Sequence, residues 1–151
     1  MTDRRLAVAA WESLFRAQHD VFDRISGDFS EARLTQAEYD VLLTVARAPE
    51  MTARLRDVTA NMLISQPSVS RLVDRMVSQE LLSKCADPDD GRGSLVRATD
   101  RGAAAFRALA AQHARTIAEH MSALDDAELA TLKALTDKLR GSLDDGSAPA
   151  G

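Results

Sequence analysis

The sequence predicts a mainly helical chain that carries one small β-hairpin, and three observations support this fold class. Near both ends of the chain, apolar residues recur at steps of three and four, which is the period of an amphipathic helix. Between those ends, capping pairs and a proline delimit shorter helices. Two short runs between residues 81 and 98 enclose a segment rich in Asp, Pro and Gly, as the strands of a hairpin do.

The composition excludes several classes of protein. With 151 residues, 45% of them hydrophobic, the chain fits one domain with an aliphatic core and is neither disordered nor collagen-like. The formal net charge is −4, so any DNA-binding site must be local. Cys85 is the single cysteine, which excludes an intramolecular disulfide and a four-cysteine zinc site.

Patterns for secretion and membrane insertion are not found in the sequence. The apolar run that ends before Glu12 is too short for a secretory segment. No run reaches the roughly 18 to 20 apolar residues that a bilayer-spanning helix needs. We therefore expect a cytoplasmic protein with no membrane partner.

The two ends of the chain predict long helices with one apolar face each. Such a face is either core or an oligomer interface, and the wall of a ligand pocket is the alternative for the first helix. The apolar face of the first helix comprises Trp11, Leu14, Phe15, Phe22, Ile25 and Phe29. That of the last helix comprises Leu129, Leu132, Leu135, Leu139 and Leu143. Residues 144–151 are small and polar, and we expect a disordered tail there.

Three helices are predicted between Thr35 and Ser78. Thr35 and Glu38 form a capping pair that begins the first of them, and Pro49 ends it. A short helix fits residues 55–62. Ser65 is a good N-cap for the next helix, because Pro67 is tolerated in a first turn. Two short helices thus follow one another across a tight turn.

The helix that begins near Ser65 has two different sides. Val69, Leu72, Val73 and Met76 project to one side, and the other side is small, polar and cationic. Short side chains let a helix approach DNA closely, and Arg and Gln pair with guanine and adenine edges. The outward residues suited to this are Gln66, Ser68, Ser70, Arg71 and Arg75. A solvated helix face is the alternative interpretation.

A hairpin follows that helix, and together they predict a winged helix-turn-helix. We expect strands over residues 81–86 and 94–98, joined by a turn over residues 87–93. Arg92 stands between glycines at the predicted tip, where its guanidinium would enter a minor groove with Asp90 holding it. An ordinary surface turn is the alternative. The aspartates at 87, 89 and 90 would repel phosphates unless at least one is paired.

From Thr35 to Gly102 the sequence resembles the MarR family of transcriptional regulators. The resemblance is carried by the runs SQPSVSRLVDRM at 65–76, DPDDGR at 87–92 and TDRG at 99–102. It implies one domain over residues 1–143, with dimerisation helices at about 6–33 and 103–143 around a DNA-binding lobe at about 34–102. The partners implied are double-stranded DNA and a second copy of the chain. The DNA-binding positions implied are Ser65, Gln66, Pro67, Ser68, Ser70, Arg71, Arg75, Lys84, Asp90 and Arg92.

The sequence departs from the family pattern at four positions. Leu63 and Glu80 stand where glycine is usual, and Ala98 replaces a leucine. Gly91 replaces an arginine of the wing, which removes one cation from it. We therefore expect modest, strongly salt-dependent affinity for DNA.

The resemblance also implies a small-molecule effector, anionic or aromatic, bound between the dimerisation helices and the lobe. Arg16, His19 and Tyr39 are the candidate pocket residues, since arginine suits a carboxylate or phenolate. Ordinary packing or surface exposure is the alternative. The expected regulator is a repressor of a pseudo-palindromic operator, with no cofactor.

Four further hypotheses compete with this interpretation. Cys85 would sense oxidants if neighbouring Lys84 favours its thiolate, whereas a small packed residue is the alternative. A metal site at His19, His113 and His120 competes with ordinary packing of those rings. The acidic wing suggests an interaction module that has lost DNA binding. An enzyme is disfavoured because no nucleophile or acid–base set can be assembled.

Overall fold

The computed structural model describes residues 1–30, 32–62 and 66–145. Its helices are α1 (Arg4–Ile25), α2 (Gln36–Arg47), α3 (Leu55–Asn61), α4 (Gln66–Ser78), α5 (Asp100–His120) and α6 (Asp126–Asp145). Its strands are β1 (Thr52–Arg54), β2 (Leu82–Asp87) and β3 (Asp90–Ala98). The mainly helical architecture with a small β-wing confirms the predicted fold class.

The helix start predicted from Thr35 and Glu38 is confirmed, and two further helices begin with a side-chain cap. The amide of Glu38 donates to the Thr35 hydroxyl at 3.2 Å at the start of α2. The amide of Gly102 donates to the Thr99 hydroxyl at 3.0 Å at the start of α5. Before α6, Asp125 and Glu128 each accept the other's backbone N–H at 2.9 Å. Local sequence signals therefore set these three boundaries.

The sheet is larger than predicted. Its order is β1-β3-β2, all antiparallel, and the sequence analysis missed β1 because three residues are too short for a strand pattern. The predicted turn over residues 87–93 was wrong in extent. Asp87 pairs with Asp90, so only Pro88 and Asp89 form the turn, and a register shift follows Ala86. Arg92 therefore lies within β3 and not at the tip.

Both terminal helices end at positions other than those expected. α1 ends at Ile25, and Ser26–Phe29 form a 3₁₀ turn, since glycine at 27 weakens a helix. This turn directs Phe29 onto the rings of Tyr39 and His113. At the other end, α6 continues through Asp145, so the predicted tail boundary at 144 was too early. The rest of that tail, residues 146–151, lies outside the described residues.

One aliphatic core holds α2, α3, α4, the sheet and the beginning of α5 together. Its most buried members include the predicted inward face of α4, with Val69, Val73 and Met76 fully inaccessible. α1 contributes no buried residue, although it lies against α5. The packed part of the chain therefore comprises residues 34–102 together with the buried face of α5.

The apolar faces of α1 and α6 are exposed in the single chain. Trp11 is 60% exposed and Leu135 is 61% exposed, so these parts of the two faces are not core within one chain, whereas Phe29 of the first face packs against the core. The exposed large apolar residues of the two helices are Leu6, Val8, Trp11, Phe15, Phe22, Leu132, Leu135, Leu139 and Leu143. Among the described residues, no helix has both the length and the apolarity needed to cross a membrane.

The joint between α4, β2 and α5 is held by the backbone of Glu80 and Leu81. The Thr99 hydroxyl donates to the Glu80 carbonyl at 2.5 Å, and the Thr99 amide donates to the Leu81 carbonyl at 3.1 Å. Gly102 is required here, because a Cβ at that position would lie 2.0 Å from the Leu81 oxygen. Glu80 itself has φ = 61°, in the left-handed region that favours glycine.

Glu80→Gly should raise the free energy of unfolding by about 0.5 to 1 kcal/mol, because glycine adopts φ = 61° without steric strain. The 3.7 Å ion pair of Glu80 with Arg101 is exposed and contributes little. Urea denaturation followed by circular dichroism measures the change. The neighbouring Gln79→Gly is the control and should destabilise. Equal destabilisation by both variants would contradict the strain assigned to Glu80.

Candidate nucleic-acid interface

α4 presents a cationic outer side because its apolar side is buried. Arg71 and Arg75 are exposed there, together with Pro67, while Ser68 and Ser70 are half-buried. Arg71 and Arg75 therefore lie outward as the helical period predicts, whereas Ser68 and Ser70, also predicted outward, are half-buried. Ser65, Leu63 and the side chain of Gln66 lie outside the described residues. Arg71 and Arg75 are thus the candidate contacts that the structure places on the surface.

Asp74, the acidic residue of α4, is paired with a lysine of the hairpin. Lys84 Nζ lies 3.1 Å from Asp74 Oδ1. This contact connects β2 to α4 and neutralises the carboxylate that stands between Arg71 and Arg75 in the sequence. Lys84 was predicted as a DNA contact. In the structure its amine is the ion-pair partner of the Asp74 carboxylate on α4.

Two of the three wing aspartates are paired with an arginine that the sequence analysis missed. Arg54 Nε lies 3.0 Å from Asp87 Oδ2, and Arg54 Nη2 lies 3.6 Å from Asp89 Oδ2. Asp87 is only 4% exposed, so its carboxylate requires such a partner. The repulsion expected from an acidic turn is thereby reduced. No local signal could have identified Arg54, since it lies in another strand.

Asp90 contacts Arg92 in a way that differs from the prediction. Its carboxylate accepts the backbone N–H of Arg92 at 3.1 Å. The described ion pairs include none between these two side chains, so the expectation that Asp90 holds the guanidinium was wrong. Asp90 instead shapes the backbone where β3 begins, and the Arg92 side chain is exposed.

A small cleft of about 220 Å³ lies between α3 and the hairpin. Arg54, Arg56 and Arg92 line it, together with Thr59 and Asp90. Arg56 is exposed and was also missed by the sequence analysis. The cleft brings three guanidinium-bearing residues together beside the wing, although they are distant in sequence.

The predicted effector residues do not form one pocket within the chain. Arg16 and His19 line a shallow surface depression of about 290 Å³ on α1, beside Trp11 and Phe15. Tyr39 does not line it, because its ring is buried 5.2 Å from that of Phe106 and within the core. Burial raises the pKa of Tyr39, although the charge of Arg47 opposes this. Within one chain, the three predicted residues therefore do not line a common pocket.

A larger open cleft of about 730 Å³ lies between α5 and the lobe. Apolar side chains line it from both sides, among them Leu34, Leu81, Ala105 and Leu109. Its polar lining residues are Arg33, Glu38, Gln79, Arg101 and Gln112. The cleft has the composition of a site for a ligand with an apolar body and an anionic group. It lies in the region predicted for an effector but uses other residues.

His113 is packed and paired and does not belong to a metal site. Its Nδ1 lies 2.8 Å from Asp28 Oδ2, and the Thr116 hydroxyl donates to Asp28 Oδ1 at 3.0 Å. Burial raises the pKa of nearby Asp40, while the charge of His113 opposes this. Across the described ranges, no group of three metal-ligating side chains occurs. The packing alternative for His113 is therefore the one that the structure supports.

Cys85 is exposed in β2, so the alternative of a small packed residue was wrong. The positive charge of Lys84 does not act on the Cys85 thiol alone, because its amine lies 3.1 Å from the Asp74 carboxylate. The lysine argument for a redox-sensing cysteine is weakened accordingly.

Comparison with known proteins agrees with the winged helix-turn-helix arrangement of α3, α4 and the hairpin. The family model described as "MarR family" matches residues 34–93, which contain α2, α3, α4, β1, β2 and the start of β3. Over this segment the chain is similar to the MarR family. Its fold is that of solved MarR family transcriptional regulators.

Three relatives illustrate the extent of the similarity. The HTH-type transcriptional regulator MhqR of Bacillus subtilis (strain 168) is 25% identical over 116 residues, which cover 77% of this chain and 79% of MhqR. The MarR family transcriptional regulator Sco3205 of Streptomyces coelicolor, solved in complex with DNA, superposes with a TM-score of 0.76 at 20% identity and covers 99% of this chain and 92% of Sco3205. BpsR of Bordetella bronchiseptica, whose DNA binding is regulated by 6-hydroxynicotinic acid, gives a TM-score of 0.72 at 25% identity and covers 85% of this chain and 91% of BpsR.

Proposed function

We propose that this MarR-like chain is a cytoplasmic, homodimeric repressor that binds a pseudo-palindromic operator and is released by a small-molecule effector. The observation that carries the proposal is the outer side of α4, where Arg71 and Arg75 are exposed and Asp74 is neutralised by Lys84. A protein with a formal charge of −4 has no general attraction to DNA, so this local cationic face is significant.

The proposed contacts divide into two groups. α4 enters the major groove, where Arg71 and Arg75 contact bases or phosphates while Gln66, Ser68 and Ser70 position the helix. Ser65 and Pro67 belong to the start of that helix in the proposal. On the hairpin, Arg92 reaches the adjacent minor groove, and Lys84 and Asp90 hold the wing in shape. The complex of Sco3205 with DNA supports this use of the fold.

The exposed apolar faces of α1 and α6 support a homodimer. Leu135, Leu139 and Leu143 follow one another at helical steps and are 61%, 48% and 66% exposed. Monomeric proteins rarely expose contiguous apolar surfaces of this kind, so a second copy is the proposed cover. Two recognition helices then address half-sites about one helical turn apart. A dimer seated there excludes other proteins from the same grooves, which is the basis of the repressor assignment.

The 730 Å³ cleft beside α5 is the proposed effector site. Arg33 and Arg101 would bind an anionic group, and the alanines of α5 would contact an apolar or aromatic body. The cleft lies between α5 and the lobe, so a ligand there can favour one separation of the recognition helices. The regulation of BpsR by 6-hydroxynicotinic acid supports an aromatic acid as ligand class.

The interaction-module alternative was motivated by the acidic wing. The acidic wing is a weaker argument for this alternative in the structure, because Arg54 pairs with Asp87 and Asp89. The alternative is still distinguished by experiment, since a module without DNA binding would show no association with any duplex at low salt.

Arg71→Ala should raise the Kd for a selected duplex about 5- to 100-fold, because a guanidinium contact to bases or phosphates is lost. Arg92→Ala should weaken binding and lower the slope of log K against log salt by about one. The duplex is selected from a randomised pool by the wild-type protein, and fluorescence anisotropy measures binding at several salt concentrations.

Arg107→Ala is the matched control for this experiment, since Arg107 is exposed on α5 away from α4 and the hairpin. It should bind like wild type. Absence of wild-type binding at every salt concentration would reject the proposal in favour of an interaction module. An Arg92→Ala variant with an unchanged salt slope would remove the wing contact from the proposal.

Leu139→Lys should shift the chain from dimer to monomer, because a charged side chain would enter the proposed apolar seam of α6. Sedimentation velocity measures the shift. Lys138→Ala, at the exposed neighbouring position, should leave the dimer intact. A monomeric wild-type protein would contradict the homodimer.

Benzoate, a small aromatic acid, should raise the melting temperature of the protein and weaken its binding to the selected duplex. With Arg101→Gln, at least about ten times more benzoate should be needed to produce either response, since the anion loses a charged partner. Arg107→Gln is the control, and differential scanning fluorimetry with anisotropy gives the two readings. Identical responses of Arg101→Gln and wild type would place the ligand elsewhere.

A further inference from the structure

Arg54 occupies a position between the helix-turn-helix and the hairpin that neither the sequence motifs nor the comparisons single out. Within the described residues, Asp87 and His113 are the buried polar side chains, and Arg54 is the partner of Asp87 at 3.0 Å. We infer that Arg54 is a positioning residue for DNA binding, which holds the wing so that Arg92 and Arg56 meet the phosphate backbone. This inference rests on the proposed function.

The Arg54–Asp87 pair joins two parts of the sheet. Arg54 ends β1 and pairs in register with Leu95 of β3, so its backbone is held by the sheet. Asp87 ends β2 at the register shift, where its Oδ1 accepts the amide of Asp89 at 2.9 Å. Both carboxylate oxygens of Asp87 are therefore engaged, one by the turn and one by Arg54. The turn cannot move without breaking a buried ion pair.

The charge of the wing depends on the same contact. The segment from residue 87 to residue 92 carries three aspartates and one arginine. Arg54 lies against two of those aspartates, at 3.0 and 3.6 Å. Without Arg54, the two carboxylates would face the phosphates that Arg92 is proposed to meet, and repulsion would cancel the attraction of one guanidinium.

The 220 Å³ cleft indicates where the backbone would lie. It opens between α3 and the hairpin, with Arg56 and Thr59 on one side and Arg92 on the other. Guanidinium groups and a hydroxyl are the donors that bind phosphate oxygens. Arg54 is half-exposed and its Nε and Nη2 both point to aspartates, so it acts here through Arg92 and Arg56.

A double-mutant cycle tests the inference. Arg54→Gln, Arg92→Ala and the combined variant are titrated into the wild-type-selected duplex, of about 30 base pairs to hold two half-sites. We expect Arg54→Gln to raise Kd about tenfold. Adding Arg92→Ala to the Arg54→Gln variant should raise Kd by less than about twofold more. A full, additive Arg92→Ala effect would overturn the positioning role, because Arg54 would then act independently.

A rescue separates positioning from loss of structure. Asp89→Asn removes an exposed carboxylate and should recover at least about threefold of the affinity lost in Arg54→Gln, with little effect in wild type. Urea denaturation identifies variants that have lost stability. Arg54→Gln leaves the buried Asp87 carboxylate unpaired, and adding Asp87→Asn removes that charge. The double variant should therefore fold even if Arg54→Gln alone does not, and it should still show the raised Kd.

The outcomes are distinguishable from failure of the proposed function. If wild type binds no duplex, the proposed function fails and this inference fails with it. If wild type binds and Arg54→Gln binds equally well, only the inference is overturned. Arg47→Gln, which removes an exposed charge from α2, is the control for general electrostatics and should change Kd less than about twofold.

Discussion

The burial of one side of α4 is the constraint on which the rest of the structure depends. Val69, Leu72, Val73 and Met76 are almost inaccessible, and each such side chain contributes about 1.5 to 3 kcal/mol relative to exposure. Rotating the helix about its axis would lose that burial, so Arg71 and Arg75 have no alternative to the outer side. The core thus determines the orientation of the candidate DNA-binding residues, and those residues contribute nothing to the packing that orients them.

Ion pairs between elements then adjust the charge of that outer side. Lys84 neutralises Asp74, and Arg54 neutralises Asp87, so in both places a cation of one element compensates an acid of another. The two pairs differ in energy. Asp74 is largely exposed, and its pair contributes little to stability, whereas Asp87 is buried and would be strongly destabilising without its partner. Of these two ion pairs, the one at Arg54 therefore contributes more to holding the hairpin in place.

The sequence predicted those features that depend on neighbouring residues. Thr35 and Thr99 cap helices through residues three positions away, and the two sides of α4 follow from helical periodicity. The missed features depend on distant residues. β1 exists because β3 pairs with it, and Asp28 meets His113 across a separation of 85 residues. Arg54 and Arg56 show no motif of their own, so the cleft beside the wing could not be predicted from one sequence.

A negatively charged chain can present a DNA-binding surface because screening makes charge a local property. At physiological salt the Debye length is about 8 Å, so acids on α6 or at the far end of α5 are screened from a duplex at α4. Acids of the wing and of α4 are close enough to matter. Arg54 lies against Asp87 and Asp89 of the wing, and Lys84 lies against Asp74 of α4. The net charge of this chain is therefore a poor guide to whether it binds DNA. In the proposed interface, the pairing of Asp87 determines whether the hairpin attracts or repels phosphate, and its partner Arg54 is one of the three residues of β1.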